Sequence, residues 1–374
     1  MRCLTEVFMI RELISESELL PAIPTEAAKA FDARKGLLVE RVNQALAARN
    51  DLERLIGKMD AVEMMHDNHR NHAMFLTTVL HLSAFRLLAS VIPWVYRTYR
   101  NYGFSFDYFP VALNAWKAAM KIELSELDAA AVFPVYDWMI ERHDRFVCVA
   151  ENITGDEPLA ESNENAHKFY QAIVRKDINE ALKIGENELA RDFRPDRFYQ
   201  YTLKPAMYQV GSHWQQGKLS VAEEHIATSV AQTVVSTLHL RNPGTGRVVG
   251  KAMIAAVAGE LHDLGARIIS HSLAFSGWEV TCLGANLPVM TIIEAARKIR
   301  PNFAGFSLTM PYHLQYLRKI IDIFKTDPVL CSVPIMAGGS VFCLFPESRG
   351  YFTDIAIIND IAEAVQKAGE WRNA

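Results

Sequence analysis

The sequence predicts a multidomain protein with an all-α N-terminal domain and a four-helix bundle. A doubly wound, Rossmann-like (flavodoxin-like) α/β domain with a five-stranded parallel sheet follows. Three observations lead there. The first part of the chain, about Pro24 to Asn152, has apolar residues at helical spacing and no convincing alternating strand. Polar stretches holding Gly and Pro, "TGDEPLAESNEN" (Thr154 to Asn165) and "RNPGTGR", punctuate the chain. From Val248 onward, short and nearly continuous apolar runs alternate with helical patterns. With 374 residues, 50% of them hydrophobic, there is material for two or three domains with sizeable cores. The expected divisions are 1–154, 160–243 and 248–374.

The opening "MRCLTEVFMIRELISESELL" has its apolar residues interrupted by Arg2, Glu6, Arg11 and Glu12, so it lacks a signal-peptide core. In "AAKAFDARKGLLVERVNQALAARNDLERLIGKM" the residues Leu38, Val42, Leu46 and then Leu52, Leu55, Ile56 form helical stripes. Further helices are expected, separated by Pro93, by "NYGFSFDYFP" and by "ELSELDAA". The run "LLASVIPWVY" is shorter than the roughly twenty residues a membrane span needs.

Two features of this third bear on function. "HDNHRNH" sets His66, His69 and His72 three apart, drifting around one side of a helix. Such a cluster suits contact with haem, a metal or a bilin, and equally a polar surface or helix start. "PWVYRTYRNYGFSFDYFPVALNAW" packs aromatics densely beside Arg97 and Arg100. Aromatic walls and guanidinium forks suit a planar tetrapyrrole bearing carboxylates; the aromatic core of a helical interaction domain explains the same residues. No Cys here stands in a chromophore-attachment motif, so a bilin would be held without a covalent bond.

The bundle is expected in four pieces: "NENAHKFYQAIVRK", "DINEALKIGENELARD", "DRFYQYTLKPAMYQVGSHWQQG" and "SVAEEHIATSVAQTVVSTLHL". Asp177 and Ser220 are natural N-caps, and Glu223 three residues after Ser220 completes a capping box. On the last helix Ile226, Val230, Val234 and Leu238 form an apolar stripe, with His225, Ser229 and Gln232 beside it.

The α/β strands are expected at "AMIAAVA", "EVTCLG", "NFAGFSLTM", "VPIMAGG" and "DIAIIN". Ligands of such folds bind at the carboxyl ends of the strands, at a switch point. The first strand runs into "GELHDLG", which places His262 there with Glu260, Asp263 and Gly265. Ser307 and Thr309 follow the third strand, and Gly338 and Gly339 the fourth. A loop histidine capping the next helix is the plain alternative for His262.

A net charge of −4 argues against a broad nucleic-acid footprint, and no DNA-binding pattern is present. The five cysteines (Cys3, Cys148, Cys282, Cys331, Cys343) are scattered and contain no CxxC, as in a reducing cytoplasm. A cytoplasmic chain that binds neither DNA nor membrane is expected.

These motifs, E-x-H-x-x-G, then S-x-T, then GG, resemble the cobalamin-binding domain of methionine synthase, corrinoid methyl carriers and cobalamin photoreceptors. Glu260 stands where most of the family has Asp, a departure shared with the photoreceptor branch. The resemblance implies that His262 is the lower axial ligand of cobalt, replacing the cofactor's benzimidazole. Neutral imidazole suits such a metal, and Glu260 is suited to orient the ring. The displaced nucleotide tail would pass Gly265, Ser307, Thr309, Gly338 and Gly339. Trp214, nine residues, then Glu224-His225 further resembles the W-x9-EH motif of light-sensing cobalamin proteins of the CarH and LitR type. That likeness implies that Trp214 shields an upper adenosyl group and Glu224 helps hold it. It also implies that His225 can bind cobalt after light breaks the cobalt–carbon bond. A core Trp and a solvated Glu-His pair would explain the same residues.

On these resemblances the expected function is a cytoplasmic light sensor holding adenosylcobalamin between bundle and α/β domain. Light would change the oligomer, a dimer for example, or its contact with an unidentified protein partner. The N-terminal third resembles the globin-like domain of photocobilins, implying biliverdin as a second pigment. The alternatives are a corrinoid methyl carrier serving methyltransferases, and a scaffold that has lost its cofactor.

Overall fold

The structure is a computed structural model, which describes residues 2–152, 163–192, 195–242 and 248–372. It divides into two compact units, Met1–Thr154 and Gly155–Ala374. Among the described residues the first unit is entirely helical: α1 (Arg2–Ser17), α2 (Thr25–Ala47), α3 (Leu52–Ile56), α4 (Val62–Leu82), α5 (Phe85–Asn101), α6 (Tyr108–Glu123), α7 (Glu126–Glu141) and α8 (His143–Asn152). Leu38, Val42 and Leu46 of α2 are buried, as are Leu52, Leu55 and Ile56 of α3.

Pro93 does not separate two helices as expected; it lies inside α5. Proline removes one backbone donor and crowds the preceding turn, a local cost of about 3 kcal/mol. Leu88, Ala89, Val91, Ile92 and Tyr96, on both sides of it, are all buried, so burial of one continuous face offsets that cost.

The dense aromatic segment fills its own space. Tyr96 stacks on Phe109 with centroids 3.8 Å apart, Phe104 meets Tyr108 edge-on at 5.0 Å, and Trp116 is buried. Arg100 lies over the Phe106 ring. Of the histidine cluster, His69 is fully buried rather than part of a polar surface. Its Nδ1 lies 2.5 Å from Asn43 Oδ1 and its Nε2 2.9 Å from the Tyr108 hydroxyl. His72 shares a 3.0 Å hydrogen bond with Tyr136. Burial pushes the pKa of both imidazoles down to about 3.

In the second unit the bundle consists of α9 (Glu164–Val174), α10 (Ile178–Asp192), α11 (Pro195–Phe198), α12 (Lys204–Gln215) and α13 (Val221–Arg241). Asp177 caps α10 and Ser220 forms the capping box with Glu223, as expected. The third expected helix differs. Between α11 and α12 lies a π-helical turn, Tyr199–Leu203, in which the Lys204 N–H reaches back to the Tyr199 carbonyl. Pro205 follows at the start of α12 and has no N–H for the Tyr201 carbonyl, so the turn widens. Of the two expected breaks, residues 154–162 and 243–247 lie outside the described residues; Asn163 already caps α9.

The α/β part comprises β1 (Gly250–Ala256), α14 (Leu264–Phe275), β2 (Trp278–Cys282), α15 (Val289–Ile299), β3 (Phe303–Ser307), α16 (Leu314–Thr326), β4 (Ile335–Gly338), α17 (Ser340–Leu344), β5 (Ala356–Ile358) and α18 (Ile361–Trp371). The sheet order is β2-β1-β3-β4-β5 and every pairing is parallel. β1 is buried from Ala252 to Ala256, which explains its unbroken apolar run. The order reverses between β1 and β3, so the switch point lies beyond Ala256 and its partner Ser307.

Candidate functional site

After β1 the chain turns sharply: the Glu260 N–H donates to the Val257 carbonyl at 3.1 Å, with Gly259 at φ 78° between them. Such a turn needs a left-handed residue at its third position, which glycine adopts without strain. The turn drives Glu260 inward, where it is completely buried, and leaves the His262 side chain 50% exposed.

Glu260 is the centre of the site. Its Oε1 accepts from the His262 N–H at 3.0 Å and pairs with His262 Nδ1 at 2.5 Å. Its Oε2 accepts from the Thr309 N–H at 2.8 Å, the Met310 N–H at 3.3 Å and His313 Nδ1 at 3.0 Å. Burial alone would raise the Glu260 pKa. The hydrogen bonds from His262 and His313 outweigh it and hold the carboxyl well below its usual range. In return Glu260 raises the His262 pKa, against the opposing effect of burial, and the Glu224 charge on α13 adds to the rise. One imidazole nitrogen is thereby fixed on a carboxylate while Nε2 has no hydrogen-bond partner among the described residues. A carboxylate-backed imidazole with its other nitrogen open is the donor arrangement of a metal ligand.

The other expected residues fall into distinct places. Asp263 is buried and faces the bundle rather than the strand ends: Gln232 of α13 donates to its Oδ1 at 2.8 Å and Arg267 to its Oδ2 at 2.9 Å. Ser307 and Thr309 are half-buried beside the His262 loop. A Cβ on Gly265 would sit 2.8 Å from Ser307 Oγ, so this glycine lets α14 start against β3. Gly339 has φ 123°, and a Cβ there would lie 1.9 Å from the Leu308 carbonyl oxygen. A Cβ on Gly338 would come 3.1 Å from the Ile358 carbonyl oxygen. Gly339 is thus required, and Gly338 favoured, by close approach of neighbouring backbone before any ligand is considered.

On the bundle, Trp214 is half-buried and packs against the bundle core. Glu224 is half-buried and accepts from Thr228 at 2.8 Å. His225 is exposed, with Nδ1 2.9 Å from the Val221 carbonyl and 2.9 Å from Glu224. It lines an open groove of about 350 Å³ with Lys176, Ile178, Ser229 and Thr233. Gln232, expected beside His225 and Ser229, leaves that strip for Asp263.

Sequence reasoning missed His313. It lies beyond the S-x-T motif, and the only cue would have been a second imidazole just past a strand end.

Comparison with known proteins agrees with the chemistry of this site. Residues 250–367 match the B12 binding domain. A second profile, also described as a B12 binding domain, matches residues 166–239 of the bundle. Dimethylamine corrinoid protein 3 of Methanosarcina acetivorans is 27% identical over 208 residues, 54% of this chain and 95% of that protein. Dimethylamine corrinoid protein 1 of Methanosarcina mazei is 29% identical over 219 residues, 57% of this chain and 98% of that one. Among solved structures, the monomethylamine corrinoid protein of Methanosarcina barkeri is 20% identical, covering 55% of this chain and 98% of that one with a TM-score of 0.47. The cofactor class supported by these matches is a corrinoid.

They also correct the sequence reading. The relatives are methylamine corrinoid proteins, so the CarH- and LitR-type photoreceptor assignment is overturned, and light sensing with it. W-x9-EH is three positions at the junction of α12 and α13; similarity over about 200 residues outweighs it. The adenosyl form, biliverdin and light-dependent dimer assembly entered through the photoreceptor resemblances, and the relatives lend them no support. The N-terminal aromatics that suggested a bilin pack on one another. No described helix is long and apolar enough to cross a membrane.

Proposed function

We propose that the chain is a corrinoid methyl carrier serving a methyltransferase system, itself a carrier rather than the catalyst. The observation that carries this reading is the similarity to dimethylamine corrinoid proteins across nearly their whole length. The geometry at His262 supports it independently. The residues fit the cofactor: an imidazole at the sheet's switch point, one nitrogen fixed and one open, is the donor that a cobalt ion of a corrinoid requires.

When bound, the corrinoid supplies a cobalt centre that accepts a methyl group and gives it up again. His262 would hold the cobalt through Nε2 in this proposal. Glu260 keeps the Nδ1 proton in place and so directs Nε2 outward. Gly265, Ser307, Thr309, Gly338 and Gly339 lie around the strand ends, where the nucleotide tail would be received in this proposal. Trp214 and Glu224 stand on the bundle side. Asp263 anchors the His262 loop to α13 through Gln232 instead of touching the cofactor. A methyltransferase is the partner this role requires.

The test is methyl transfer. The full chain, loaded with cobalamin and reduced, is incubated with isotopically labelled dimethylamine and a dimethylamine methyltransferase. Label should appear on the protein fraction and be lost in His262→Ala; a loaded protein that never acquires label overturns the carrier reading.

A further inference from the structure

His313 is the second imidazole on Glu260, and nothing above gives it a task. It belongs to a 3-10 turn, Pro311–His313, that leads from the end of β3 into α16. The side chain is buried, with only 5% exposed, and Nδ1 lies 3.0 Å from Glu260 Oε2. Its ring is held edge-to-face by Tyr312, with centroids 4.5 Å apart, and flanked by Tyr316 at 6.3 Å. A Cβ on Gly259 would lie 3.2 Å from His313 Nε2 and 3.4 Å from Cδ2. The turn before Glu260 thus needs glycine twice over, for its left-handed φ and for the space the His313 ring occupies.

The arrangement divides the carboxylate. The Thr309 and Met310 N–H groups and His313 hold Oε2, while Oε1 is left to His262 alone. The terminal torsion of a carboxylate is broad, so its orientation is set by the donors around both oxygens, and on the Oε1 side these are the His262 N–H and ring. The two backbone donors on Oε2 are unequal, 2.8 Å from Thr309 and 3.3 Å from Met310. His313, further along the same connection, is the one side-chain donor to Oε2 among the described residues, and at 3.0 Å it strengthens the hold on that oxygen.

We infer that His313 is a positioning residue: it locks the Glu260 carboxylate so that Oε1 presents to His262 Nδ1 and the His262 ring keeps one tautomer and one orientation. The inference rests on the reading of His262 as the cobalt ligand, but its first readout needs no cofactor. Partners that orient a metal-binding histidine change metal affinity by about 10- to 100-fold when removed.

The test uses the full chain in three forms: wild type, His313→Phe, which keeps the aromatic packing without a donor, and His313→Asn, which restores a donor close to the Nδ1 position. Nitrogen-15 NMR of the cofactor-free protein, recorded at a pH high enough for the His262 ring to be neutral, reports its tautomer, and titration with hydroxocobalamin gives its affinity. The expectation is a single Nδ1–H tautomer in wild type and in His313→Asn. His313→Phe should give averaged His262 nitrogen shifts and bind cobalamin at least about tenfold more weakly. Unchanged His262 shifts in a folded His313→Phe protein overturn the inference. So does a folded His313→Asn protein that behaves like His313→Phe. If neither variant folds, the wild type decides: the His313 Nδ1 proton must be observed, hydrogen-bonded and slow to exchange, and its absence overturns the proposal. If wild-type cobalamin is not ligated by His262, the carrier reading fails while the NMR result still decides the role of His313.

Discussion

Two histidine-rich regions of this protein use the same side chain in opposite ways. In the helical unit, His69 has both ring nitrogens engaged, by Asn43 and by Tyr108, and is fully buried. In the α/β part, His262 has one nitrogen on Glu260 and the other open, on a side chain half exposed. The first imidazole is held neutral by burial; the second has its pKa raised, chiefly by its carboxylate partner. What separates the structural histidine from the proposed cobalt ligand here is not local sequence, since both lie in polar histidine-bearing stretches. It is whether the fold leaves a nitrogen without a partner.

The comparison can be broken from either side. The largest effect is expected at His69→Leu, which leaves Asn43 and the Tyr108 hydroxyl in an apolar core. Loss of about 3 kcal/mol of stability of the helical unit is predicted, with cobalamin affinity unchanged. Denaturant unfolding alongside a binding titration measures both, and a shift in affinity with stability intact would undo the assignment. Next in size, His262→Ala should lower cobalamin affinity by about a hundredfold, near 2.7 kcal/mol. Its loss of stability should be smaller than that of His69→Leu, because the His262, Thr309 and Met310 N–H groups and His313 still hold Glu260.

A pH series sharpens the contrast. His69 titrates at about 3 in the fold and near 6.5 when unfolded, so the unfolded chain takes up the proton first. Its contribution is complete above pH 6.5 and is lost as the pH falls toward 3. At pH 5 the loss from His69 alone should be about 2 kcal/mol. A helical unit as stable at pH 5 as at pH 7 would show that the imidazole is not held neutral. The smallest effect is expected at Gly265→Ala. The new methyl group meets Ser307 Oγ, a movable side-chain atom, at 2.8 Å, so a cost of about 1 kcal/mol is predicted in unfolding experiments.

The sequence made the architecture legible where periodicity was strong. The short, nearly continuous apolar runs placed all five strands, the period-3.6 segments placed the bundle helices, and Ser220 with Glu223 marked the start of α13. It could not show that Pro93 stays within a helix, because that depends on partners from other helices. The π turn before Pro205 was hidden for the same reason: a proline signals disturbance, not which way the backbone relieves it.

At the site, Glu260 and His262 were legible because their pairing is local, two residues apart in a tight turn. Asp263 and His313 were not, since their partners lie 31 and 53 residues away in sequence. The glycine pair was correctly singled out, though the reason lies in the Leu308 and Ile358 backbone. The functional branch was misjudged for a different cause. Trp214, Glu224 and His225 are three positions at the junction of α12 and α13, and so short a motif carries less weight than similarity over about 200 residues.

The most direct test of the central claim is electron paramagnetic resonance of the protein loaded with cobalamin reduced to cobalt(II), prepared with nitrogen-15 histidine and with natural histidine. Axial coordination by His262 should give a two-line nitrogen splitting with the label and a three-line splitting without it, and the labelled pattern should vanish in His262→Ala. A three-line pattern that ignores the label, with the cofactor's own benzimidazole still on the metal, would contradict the account.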